Sequence, residues 1–250
     1  WINKIENLLK QKKEIHENLI RFIEDDTCHS FEDNQEIHNF FQNLNLLEDY
    51  QELKEFLCLI IEISQNHHRV CLHTKLKEII LKYGSLIKRK ISDQELYNLF
   101  KNDKLLLLFL LEKNLLQMNE NIAYDILHKK SKNGTKFCHF FYPEISEFIT
   151  EDERNKIKKE FKGFEELDFE QKRHNGENDN YICELIRNDK VEEFIQYVNQ
   201  KQIKIKGRIP KSEYETNSFL LNREQPTLIE YAAFFGSIQI FNYLKNSKVI

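Results

Sequence analysis

Glycine and proline are scarce, at six and three in 250 residues. So few turn formers cannot serve the many tight connections of a sandwich or barrel, and the shortage favours long helices over short strands. No glycine-rich phosphate loop, nucleophile elbow or paired-histidine zinc helix occurs in the chain. The signatures of common nucleotide-binding, acyl-transfer and metalloprotease sites are therefore missing. Long apolar runs are missing too. The longest, LLLLFLL at Leu105–Leu111, falls far short of the roughly 20 residues that cross a bilayer. It reads as a buried helix, and no membrane insertion is expected.

An excess of positive charge is also lacking. Thirty-seven Lys and Arg stand against 41 Asp and Glu, a net charge of −4. That balance argues against nucleic acid as a partner. Basic runs at Lys75–Lys90 and Lys129-Lys130-Ser131-Lys132 lack interleaved aromatic platforms, so they read as solvated helix faces. The five cysteines (Cys28, Cys58, Cys71, Cys138, Cys183) are odd in number and scattered, which fits a reducing compartment. Cys58 and Cys183 fall in apolar helical patterns, where cysteine acts as a small hydrophobe. No signal peptide is visible, and a cytoplasmic location, with cytoskeletal association as a further expectation, follows. The chain begins at Trp1 and stops at Ile250 directly after a helical pattern, so a longer protein is expected.

What is present is helix-forming. Apolar residues are 40% and charged residues 31% of the chain, enough for a folded core rather than disorder, and Leu, Lys and Glu favour helix. Ile5, Leu8, Ile15, Leu19 and Phe22 make a narrow amphipathic stripe over the first segment. Ser30-Phe31-Glu32-Asp33 opens a second pattern with Ile37, Phe40, Phe41 and Leu44. Tyr50–Ser64 and Thr74–Arg89 continue the helical period.

Two segments share a design. ELYNLFKNDKLLLLFLLEKNLL (Glu95–Leu116) and CELIRNDKVEEFIQYVNQ (Cys183–Gln200) each run a short apolar helix into Asn-Asp-Lys and then a second helix. Asn102-Asp103 and Asn188-Asp189 are the turns, with each aspartate placed to cap the helix that follows. In TLIEYAAFFGSIQIFNYL (Thr227–Leu244), Gly236 ends one helix and Ser237 caps the next. Segments Asn121–Lys129 and Ser146–Phe161 add helical patterns, joined by the aromatic FCHFFYPE corner (Phe137–Glu144), which reads as core. Gly163–Asn180 is polar and aperiodic, a linker. Ile203–Thr216 reads as a long loop or β-finger. The expected domains are an amphipathic helix at 1–29, a helical region at 30–162, a linker at 163–180 and helix repeats at 181–250.

Chemistry-bearing clusters are few. NHHRVCLH offers His67, His68, Cys71 and His73 as weak zinc candidates, without the paired spacing a structural zinc site uses. A helix junction with capping or solvated histidines explains it better. The carboxylates of Glu165-Glu166-Leu167-Asp168-Phe169-Glu170 have no convergent partner, and read as solvated charge. No catalytic residue and no cofactor is expected.

Thr227, Ile229, Ala232, Ala233, Gly236, Ile238, Phe241 and Leu244 resemble the ankyrin pattern Thr-Pro-Leu-His-x-Ala-Ala-x-x-Gly and its second helix; Leu228 and Glu230 depart from it at the Pro and His places. The segments ISQNHHR, LFKNDKLLLLFLLEKNLL, HFFYPE, ICELIRNDKVEEFIQYVNQ and ETNSFLL are similar to a divergent protist ankyrin-repeat family with an uncharacterised helical N-terminal region. The likeness covers about residues 30–250. The resemblance implies an all-α, ankyrin-like α-solenoid of helix-turn-helix pairs whose repeats continue past the chain end. Small Ala232 and Ala233 would let neighbouring pairs approach. The function expected is a non-catalytic scaffold binding protein partners. A component of a cytoskeletal or microtubule-associated assembly is the alternative, and a metal-dependent module at residues 66–73 the remote one.

Overall fold

A computed structural model of the protein describes residues 2–24, 39, 49–66 and 73–247. Regular structure among them is helical, and the only β pairings are isolated bridges, Lys130 with Lys136 and Arg208 with Thr227. None of the described helices is long and apolar enough to cross a membrane. The chain divides into two compact units, Trp1–Lys101 with Glu112–Leu116, and Asn102–Leu111 with Gln117–Ile250.

In the first unit, α1 (Ile2–Glu24) buries Ile15, Leu19, Phe22 and Ile23. Helix α2 (Tyr50–Asn66) contributes Leu53, Phe56, Leu57 and Ile60 to the core, with Phe56 edge-on to Tyr83 at 5.4 Å. Cys58 is exposed rather than packed with them. The pattern over Thr74–Arg89 is split at Tyr83 into α3 (His73–Lys82) and α4 (Gly84–Lys90). Lys75 is buried, not solvated: its Nζ donates to the Phe22 carbonyl at 2.8 Å and lies over the Phe22 ring. Helix α5 (Asp93–Phe100) starts on a capping box, Ser92 and Glu95 each satisfying the other's backbone N–H. The expected helix from Ser30 through Leu44 lies outside the described residues.

The second unit opens at α6 (Lys104–Glu112), whose Leu105–Leu110 are buried all round, as a helix apolar on every face must be. Helices α7 (Glu120–His128), α8 (Phe137–Phe140), α9 (Tyr142–Ile145) and α10 (Glu151–Glu160) follow. Phe137, Phe140 and Phe141 are buried, so the aromatic corner is core.

Residues 163–180 differ from the expected linker. They hold a 3-10 turn (Gly163–Glu165) and α11 (Phe169–Asn175). Phe161, Phe164, Phe169 and Tyr214 close a ring of edge-to-face contacts with centroids 4.9–5.9 Å apart. These aromatics are spaced too irregularly for a helical period, yet together they anchor the segment, with Phe169 buried while Leu167 stays fully exposed. Gly176 ends α11 with φ 65°, and its carbonyl accepts from Thr216 N–H at 3.1 Å and Thr216 Oγ1 at 2.7 Å.

Two helix pairs then form one core. The first is α12 (Tyr181–Arg187) with α13 (Val191–Gln200). After the loop and α14 (Ser218–Leu221) comes the second, α15 (Leu228–Phe235) with α16 (Ile238–Asn246). Leu185, Ile186, Phe194, Val198, Tyr231, Ala232, Ile240 and Leu244 are among its buried residues.

Candidate functional site

The two pairs turn alike. Asp189 and Gly236 are both left-handed, at φ 50° and 69°. Lys190 N–H bonds to Leu185 O and Ser237 N–H to Ala232 O, at 3.0 and 2.9 Å, so each first helix closes in the same way. Asn102-Asp103 does not share this turn, since neither residue has a positive φ, and the boundary between the units falls at Asn102. Asp103 does cap α6, its Oδ1 accepting from Leu106 N–H at 3.0 Å. Asn102 accepts instead from Lys129 Nζ, at 2.8 Å. Asn188, at the end of α12, is exposed.

Asp189 does not cap the helix that follows it. Its Oδ2 and Oδ1 accept from Gln239 and Ile240 N–H, at 3.0 and 2.9 Å, so it caps α16 of the other pair. Ser237 is displaced from that duty, and its Oγ donates back to Ile186 O in α12. The left-handed turn swings the Asp189 carboxylate off its own helix toward the neighbouring N-terminus, where orphan N–H groups and the helix dipole favour it. The departure at Glu230 is also explained. With Thr227 it forms a capping box, Thr227 N–H donating to Glu230 Oε2 at 2.7 Å. T-x-x-E was the available signal. Ala232 is fully buried and Leu244 nearly so, but Ala233 is exposed.

Buried charges tie the loop after α13 to the rest of the unit. Lys104 is fully buried; its Nζ donates to the carbonyls of Glu213 and Glu215, both at 3.1 Å, and faces the rings of Phe137 and Phe140. Burial brings its ammonium down to about 8, against the pull of the Glu213 and Glu215 charges. Burial would raise Glu213, but His139, Lys211 Nζ at 2.9 Å and Lys136 N–H at 2.8 Å bring it down to about 2. Glu215 is fully enclosed and burial pushes it up to about 7, with Asn217 N–H, Arg187 and Lys104 acting the other way. Arg173, 1% exposed, pairs with Glu170 and with Glu144 at 2.6 Å, between the rings of Phe140 and Phe169. Lys104 donates to backbone carbonyls, Glu213 and Glu215 accept from backbone N–H groups, and Arg173 faces Glu144 and Glu170, the compensation buried charges need, although Glu215 Oε2 and Arg173 Nε stay unbonded.

Among the described residues, the cavities of the second unit include two with polar and aromatic linings. One of about 250 Å³ is lined by His128, Lys136, Cys138 and Glu160, and burial pushes the Cys138 thiol up to about 11, which leaves it protonated and unsuited to attack. The other is a groove of about 660 Å³ bounded by Arg208, Phe219, Arg223, Glu230, Ala233 and Phe234. Phe219 and Phe234 stack there at 4.9 Å and 7°, and the Arg223 guanidinium lies 3.7 Å over Phe219. The i, i+4 spacing of Phe219 and Arg223 hinted at their contact; Phe234 comes from a separate helix, which no local pattern marks.

Of the zinc candidates, His67, His68 and Cys71 lie outside the described residues, and His73 is buried at the start of α3. No group of three His, Cys, Asp or Glu suited to a metal occurs among the described residues.

Among its described residues the second unit thus has helices as its regular structure, with two like helix pairs and an aromatic groove. Compared with protein-family models, curated proteins and solved structures, the chain gives no match.

Proposed function

We propose that the chain is a non-catalytic, ankyrin-type helical scaffold that binds protein partners. The carrying observation is the reciprocal joint between the pairs: Asp189 caps α16 while Ser237 bonds back to α12. This is the nearest-neighbour docking by which repeated units bury apolar faces that one pair cannot cover alone. The buried charges support the same reading, because Lys104, Glu213 and Glu215 hold backbone and line neither cavity. Affinity purification from the protein's own cell, followed by titration calorimetry of each recovered partner on the purified chain, tests it. The expected result is a stoichiometric protein complex. No partner binding the purified chain directly, or turnover of a small molecule by it, overturns the proposal.

A further inference from the structure

We propose that the groove between α14 and α15 takes an acidic linear peptide, a Glu or Asp carboxylate on Arg223 and an adjacent aromatic side chain against Phe219 and Phe234. This rests on the protein-binding reading and names the partner's chemistry. The groove's volume, about 660 Å³, suits one or two side chains rather than a folded domain.

Two arginines and two glutamates border the groove, and they differ in what they are committed to. Arg208 is engaged by Glu224 at 3.1 Å and by Gln225 O. Glu230 Oε2 is committed to Thr227, accepting from its N–H and Oγ1, both at 2.7 Å. Arg223 forms no ion pair among the described residues; Glu230 senses its charge without pairing to it. Of these four charged side chains, Arg223 is therefore the one with no ion pair or hydrogen bond among the described residues. Held over Phe219 with no hydrogen bond of its own among the described residues, the guanidinium keeps its N–H groups for a ligand, and a carboxylate is the acceptor it can receive through two parallel bonds.

The apolar half of the ligand follows from the rings. Phe219 is 39% exposed, Phe234 is half-buried beside it, and exposed Ala233 adds a shallow floor. An aromatic next to the acid extends the existing stack. A nucleic acid fits less well: each nucleotide brings a phosphate, Arg223 alone of the two arginines has no ion pair among the described residues, and Glu224 and Glu230 repel a polyanion.

The test is fluorescence anisotropy of the whole chain with a C-amidated, N-terminally labelled dodecapeptide carrying two Glu-Phe pairs between Gly and Ser. Matched probes replace Glu by Gln or Phe by Ala, and a single-stranded oligouridine RNA is the competing class. The expected result is binding of the Glu-Phe peptide that weakens with salt, with at least a tenfold loss for either matched probe. Arg223→Ala costs at least tenfold, and Arg223→Lys falls between, keeping charge but not the planar fork. Circular dichroism and melting of both variants should superimpose on the parent, since Arg223 is exposed. Equal affinity for the Gln probe, unchanged binding by Arg223→Ala, tighter binding of RNA, or no peptide binding at hundred-micromolar protein overturns the proposal. In any of those cases, a recovered protein partner that still binds Arg223→Ala leaves the scaffold reading standing.

Discussion

Glu215 sits on an irregular stretch where polar sequence would place it in water, yet it is 4% exposed and burial pushes its carboxyl up to about 7. From pH 4.5 to 7 the native state keeps a proton that the unfolded chain releases, so this group makes stability fall as pH rises through that window. Glu215→Gln removes the dependence. Its advantage over the parent should be absent near pH 4 and grow to at most about 3 kcal/mol at pH 8, from ~1.4 kcal/mol per pKa unit, as read from urea midpoints. Glu213 has the opposite sign. Lowered to about 2, it contributes stability above pH 4.5 that is lost as pH falls toward 2, so Glu213→Gln should flatten the acid limb of the same profile. Nothing in the chain's local pattern separates these two glutamates. Their difference comes from Lys211, His139 and the Lys136 N–H around one, and an enclosed carboxylate oxygen on the other.

At the scale of the helix pair, Asp189 joins two demands, a left-handed backbone and a cap for a distant helix. Asp189→Gly keeps the turn and deletes the carboxylate, so its cost isolates the cap; a loss of about 1 kcal/mol is expected in chemical denaturation. The adjacent alanines should part company. Ala232→Leu puts a large side chain into a filled core and should cost about 1–3 kcal/mol, whereas Ala233→Leu, at an exposed position, should stay within about 0.5 kcal/mol. Thermal melts of the two variants check this, and equal effects would refute the packing. Small size at both positions was legible in the sequence. Which of the two faces the neighbouring pair was not, because that depends on how α15 rolls against α12.

For the molecule as a whole, scarcity of glycine and proline and the abundance of helix formers correctly indicate a chain whose described elements are helices. The last two helix pairs share one core around Phe194, which is fully buried. Phe194→Ala should remove about 3–5 kcal/mol and lower amide-exchange protection across residues 182–244, in both pairs together. The sequence alone determined the helical character of the chain, the turns at Asp189 and Gly236 and the apolar faces of the periodic helices, because these follow from backbone propensity and a 3.6-residue period. Only the tertiary structure decided that Asp189 caps α16, that residues 163–180 are packed by Phe161, Phe164, Phe169 and Tyr214, and that Phe234 meets Phe219 under Arg223. The physical reason is range. Propensity and periodicity act within a turn or two of helix, while these contacts join side chains from separate elements, where packing selects among partners that no local spacing distinguishes.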